Sequence, residues 1–78
     1  MDGTRESTLT VVAVYPYHTG NGNCFHFDTA VGDRVVWFSK RKQKLALGDT
    51  LRAEFVVYKH EMHNGVAQNL VRCFHRKD

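Results

Sequence analysis

Two tripeptides in the chain repeat one pattern, Cys24-Phe25-His26 and Cys73-Phe74-His75, and each sets a thiol two residues from an imidazole. On a strand, residues i and i+2 point the same way, so each pair would offer two ligands, and four such donors suit a tetrahedral zinc site. The spacing is not that of a zinc finger or ribbon, and a cysteine on a strand is usually a small apolar filler. The sequence therefore assigns no metal and no cofactor. Two cysteines are also too few for a disulfide framework, so both are read as thiols. Catalytic signatures are missing as well. There is no glycine-rich phosphate loop, no HExxH and no nucleophile elbow, and Asp28, Asp33 and Glu54 do not obviously converge on a metal. The expectation is a protein that binds rather than one that catalyses.

The charge pattern says what it would bind. The formal net charge is +3. In residues 1–33, Arg5 stands against Asp2, Glu6, Asp28 and Asp33, a net −3, so the remainder carries +6. Arg34, Lys40, Arg41, Lys42 and Lys44 fall within eleven residues, a candidate footprint for phosphates. Arg52, Lys59 and Arg72 would extend that surface. A charge run of this kind can equally serve to keep a connecting loop soluble, and its neighbours must decide.

The elements that would position these groups are short runs rich in Val, Phe, Tyr, Thr and Trp, punctuated by Gly, Asn and Asp. Strands are predicted over residues 8–17, 24–31, 34–38, 50–60 and 66–74. Residues 19–23, with Gly20 and Gly22, make the first turn, and Asn64-Gly65 leads into the last strand. Residues 39–49 are the one segment with helical leanings, about two turns ending at Gly48. Seventy-eight residues with 42% hydrophobic and 24% charged content make one globular domain, 1–78, with residues 1–6 as a flexible N-terminal tail. A chain below about 80 residues has little net stability to give up to a large catalytic cavity. Apolar runs such as residues 11–14 fall far short of the roughly 20 residues that cross a bilayer, and the N-terminus lacks an apolar signal region. The expectation is a cytoplasmic protein with no membrane partner.

Five strands and almost no helix leave unpaired edges unless the sheet closes, so the fold class is all-β, a small closed barrel. If Gly32-Asp33 is a two-residue hairpin turn, Val31 pairs with Arg34, and counting outward Asp28 faces Trp37 and Phe27 faces Phe38. Phe25, Phe27, Val36 and Phe38 then share the interior, while Trp37 stands outside with His26, Asp28 and Val35. A slip of one residue would reverse every face. In the competing arrangement, the connector or a terminus covers the indole as part of a satellite core.

An outward Trp37 beside His26, at the foot of a basic connector, is what single-stranded nucleic acid requires: flat rings for bases and cations for phosphates. Asn21 and Asn23 in the first loop and His60, Glu61, His63 and Asn64 in the last would line the two ends of such a groove. Tyr58 is expected as an exposed structural residue, and Tyr15 and Tyr17 have no assigned face.

The set Val35-Val36-Trp37-Phe38, Leu47-Gly48-Asp49, Tyr58-Lys59-His60, Asn64-Gly65-Val66 and Gln68-Asn69-Leu70-Val71-Arg72-Cys73 resembles small OB-fold proteins and domains of phages and other mobile elements. The likeness covers residues 25–73. It implies a five-stranded OB-fold-like barrel with a short helical or irregular connector between strands three and four, and a place in nucleic-acid metabolism. An SH3-like barrel is the structural alternative. The resulting expectation is non-enzymatic binding of single-stranded nucleic acid, DNA favoured over RNA, through Trp37, His26, Arg34, Lys40, Arg41, Lys42, Lys44, Arg52, Lys59 and Arg72. The rival expectation is a module that docks on a host or phage protein complex, and the chain would be a monomer or a homodimer.

Overall fold

The computed structural model describes residues 4–17, 22–41 and 43–77. Five strands, β1 (Thr4–Tyr17), β2 (Gly22–Thr29), β3 (Arg34–Ser39), β4 (Thr50–His63) and β5 (Val66–Arg76), close into a barrel in the order β1-β2-β3-β5-β4. All neighbours are antiparallel except β3 and β5, which run parallel. This is a small OB-fold-like barrel, the first of the two architectures expected. No helix among the described residues is long and apolar enough to cross a membrane.

β1, β3, β4 and β5 run longer than the sequence predicts, because pairing partners extend them past their apolar runs, while β2 keeps its length and starts and ends two residues earlier. β1 starts at Thr4, and Thr4 to Glu6 pair with Val56 to Glu54 of β4, so these three residues belong to the sheet rather than to a tail. The interior is filled by alternate residues: Leu9 and Val11 of β1, Phe25 and Phe27 of β2, Val35 of β3, Leu51, Ala53, Phe55 and Val57 of β4, and Val71 of β5. Phe25 and Phe27, almost fully enclosed, each contribute about 1.5–3 kcal/mol through burial.

The β2–β3 connection departs from the predicted turn, and the departure reverses β3. Gly32 is not the first residue of a two-residue turn but the last of a three-residue loop, at φ 89°. Thr29 N–H donates to Asp33 O (2.9 Å), Gly32 N–H to Thr29 O (3.0 Å), and Asp33 N–H to the Thr29 hydroxyl (3.1 Å). This is the turn-plus-glycine hairpin in which the glycine takes the left-handed position. Asp28 therefore pairs with Arg34, Phe27 with Val35, His26 with Val36, Phe25 with Trp37 and Cys24 with Phe38. The pairing is displaced by three residues, an odd number, so every β3 side chain changes face. Phe25 and Phe27 are inside and His26 and Asp28 outside, as expected. Val36 and Phe38 move out, and Val35 and Trp37 move in.

Trp37 thus belongs to the barrel interior. Its ring stacks on Phe25 (centroids 5.6 Å, planes 25°) and on Phe74 (4.0 Å, 11°), while Phe74 also stacks on Phe27 (5.5 Å) and Phe55 (6.3 Å). Phe74 reaches this position through a bulge. Val56 pairs with Arg72 but Glu54 with His75, so β5 carries an extra residue, and Cys73 sits at φ 53° with its side chain exposed. Leu45 of the connector packs against the same cluster.

The connector is irregular, and its described residues form no helix. Its hydrogen bonds are taken up otherwise. The Ser39 hydroxyl donates to Arg41 O (2.7 Å) and accepts from Arg41 N–H and Gln43 Nε2 (both 3.2 Å). Asp49 Oδ2 accepts from Ala46 N–H (2.8 Å). Gly48, at φ 90°, donates to Val11 O, and Val11 N–H donates to Asp49 O, both at 2.8 Å, which ties the connector to β1.

Candidate functional site

With β3 in its observed register, the outer face of β1, β2 and β3 presents three rows of side chains. Tyr15, Cys24 and Phe38 form the first row, Ala13, His26 and Val36 the second, and Asp28 and Arg34 the third. Through the parallel pairing, Leu70 stands beside Val36 and Gln68 beside Arg34. Val36, Leu70 and Cys24 are buried together as the floor. The β4–β5 turn supplies Glu61, His63, Asn64 and Val66 at one end, and the whole encloses a groove of about 580 Å³.

Two aromatic rings stand up in this groove. Tyr15 is 52% and Phe38 38% exposed, and they flank Cys24 from neighbouring strands, about 10 Å apart across two strand spacings. His26 lies edge-on to Tyr15, with centroids at 5.1 Å and planes at 72°. Its pKa is lowered by burial first, then by the positive fields of Arg34 and His63. The imidazole is therefore biased towards its neutral form, one ring nitrogen a donor and the other an acceptor. Arg34 Nε holds Asp28 Oδ1 at 2.7 Å, which fixes the guanidinium over the third row and offsets part of its charge. Burial raises the pKa of Cys24, so this thiol is a weak nucleophile.

Several predicted site residues are elsewhere. Trp37 faces the interior, and its uncovered edge opens on a second recess, lined by Tyr58 and Arg72 and divided from the groove by Phe38, which borders both. Arg52 is bound to Glu6 on the β1–β4 side, Lys59 Nζ lies 3.8 Å from Glu61, and the Arg72 guanidinium sits 5.8 Å over the Tyr58 ring. None of these three cations lines the groove. Lys40, Arg41 and Lys44 are exposed, starting two residues beyond Phe38, while Lys42 and Asn21 lie outside the described residues. Of the last loop's predicted groups, Glu61, His63 and Asn64 reach the groove, whereas His60 turns to Asn69, its Nδ1 2.7 Å from Oδ1. The two Cys-Phe-His tripeptides are not brought together: Cys24 is buried in the groove floor and Cys73 is exposed on the bulge. Among the described residues no three His, Cys, Asp or Glu side chains are placed to hold a metal ion.

The two-residue turn would put Phe38 in the core, and alternation alone gives Tyr15 no face, yet both rings stand on the outside. The signal that could have found Phe38 is Thr29, four residues before Asp33 and able to accept from its N–H, whereas Tyr15 takes its face from the β1 bulge between Val11 and Ala13. Compared with protein-family models, with curated proteins and with solved structures, the chain matches none.

Proposed function

We propose that the protein binds single-stranded nucleic acid in the groove on the outer face of β1, β2 and β3, with DNA favoured over RNA. The observation that carries the reading is the pair of exposed rings, Tyr15 and Phe38, standing on an apolar floor next to His26 and Arg34. The β2–β3 face between the first and last loops is also where barrels of this type receive oligonucleotides. The stacking role assigned to Trp37 passes to Tyr15 and Phe38, each worth about 1–3 kcal/mol per base. His26 offers a third ring and a hydrogen bond, Arg34 meets the backbone, and Lys40, Arg41 and Lys44 continue the phosphate track past the end of β3.

The test is fluorescence anisotropy with labelled single-stranded DNA, single-stranded RNA and duplex DNA, compared side by side. Tyr15→Ala and Phe38→Ala should each weaken single-strand binding about fivefold to a hundredfold, the loss of one stack. Tyr58→Ala, which changes the recess on the other side of β3, should leave it within about twofold. Failure of both single strands to bind, or an equal loss in all three variants, would falsify the reading.

A further inference from the structure

We propose that the outer edge of β4 pairs antiparallel with the same edge of a second copy, about a two-fold axis through His60. The proposal is independent of any nucleic-acid ligand. Among the described residues β1 covers β4 as far as Val56, and from Val57 to His63 none of them pairs with the edge opposite β5. An edge of this length is a template for another strand unless something blunts it.

Backbone geometry limits how two such edges can meet. His63 and Val66 close a two-residue turn, Asn64 at φ 52° and Gly65 at φ 81°, the geometry in which the flanking pair is hydrogen-bonded. Along an antiparallel ladder these positions alternate, so His63, Glu61 and Lys59 turn their N–H and C=O groups to β5, while Met62 and His60 turn theirs to the open edge. A symmetric pairing must match outward groups with outward groups. The two-fold centre must therefore lie on a residue and not between residues, and only Lys59, His60 and Glu61 are far enough from the ends of the open edge to pair about five residues or more of each copy.

Charge selects among the three centres. On Lys59 or Glu61, like charges from the two copies would oppose each other directly. On His60, Lys59 of each copy stands opposite Glu61 of the other, and Tyr58 opposite Met62. The charge pairs then occupy non-hydrogen-bonded sites, where side chains approach most closely. Lys59 and Glu61 already lie 3.8 Å apart within one chain, on the same face of the strand, so the assembled pair would alternate four charges around the axis. A lysine on an edge repels most foreign strands; opposite a glutamate it admits this one. The β4 bulge at Tyr58, between the Val57 and Lys59 pairings, ends the regular edge and keeps the joined ladder short. Because the axis is perpendicular to the sheet, the two grooves, each edged by Glu61 and His63, open on the same side of the dimer.

Sedimentation velocity on the full chain, without nucleic acid and up to about 1 mM, tests the arrangement. The expected result is a concentration-dependent dimer. Lys59→Glu and Glu61→Lys should each weaken it about tenfold, because two attractive cross-strand pairs become repulsive. The doubly swapped protein should recover the dimer, and an equimolar mixture of the two single variants should form heterodimers. Thermal unfolding of each variant checks that the barrel is intact. A chain that stays monomeric throughout, a dimer indifferent to either reversal, or a loss that the double swap fails to restore would each overturn the proposal.

Discussion

At Trp37 a single direction, into the barrel or out of it, separates two chemistries. Pointing out, the indole would be a platform for a base; pointing in, it is the widest plate in a stack of Phe25, Trp37 and Phe74. The two positions have different consequences for stability. A core tryptophan cut to alanine costs about 3–5 kcal/mol, and a single core of this size rarely supplies more than about that much in total. Trp37→Ala should therefore be largely unfolded at room temperature. Trp37→Phe keeps a ring between Phe25 and Phe74 and should lose about 1–2 kcal/mol, with strand affinity unchanged once folded. Urea unfolding followed by circular dichroism reads both. A Trp37→Ala protein as stable as the parent would mean that the indole contributes nothing to the core, which its stacking contradicts.

At the level of elements, the five strands were legible because alternation of apolar and polar residues is local, and each run carries its own period. The faces of β2 were legible for the same reason: burying Phe25 and Phe27 forces His26 and Asp28 outward. β3 was not, since Val35, Val36, Trp37 and Phe38 are all apolar and either alternate set makes an acceptable interior. Its face was decided by a hydroxyl, Thr29, and by whether Gly32 is first or last in the loop. Of the two forms expected for the connector the irregular one is found: lysines, Leu45 and Ala46 favour a helix by propensity, but tertiary contacts to Val11 take Gly48 and Asp49 instead. Asp49 therefore acts as the clasp of the connector, its carboxylate on Ala46 N–H and its backbone on β1. Asp49→Ala should destabilise the protein by about 1–2 kcal/mol, because a backbone donor loses a charged acceptor. Asp49→Asn, which retains an acceptor oxygen, should recover part of that. Chemical denaturation measures the series, and an Asp49→Ala midpoint equal to the parent's would show that the carboxylate holds nothing.

For the whole molecule, what matters is where the net charge of +3 is left after local pairing. On the β1–β4 side, Arg52 is taken by Glu6 and Lys77 Nζ lies 3.8 Å from Glu54, while Arg5 and Arg76 stand on the same flank. Lys59 is offset by Glu61, and Arg34 in part by Asp28. The exposed cations of the connector, Lys40, Arg41 and Lys44, thus hold much of the positive excess, beyond the Phe38 end of the groove. A strand running along the groove from the β4–β5 turn would meet Arg34 and the rings first, and the connector last. Each phosphate neutralised on a single strand contributes about −0.7 to the slope of log affinity against log salt, so four cations along this track give a slope near −3. Replacing Lys40, Arg41 and Lys44 together by glutamine should flatten that slope by about 2 while leaving the aromatic contribution, read at high salt, in place. Anisotropy titrations at several salt concentrations measure the two separately. An unchanged slope in the triple variant would place the phosphates on another face, and with it the path of the strand.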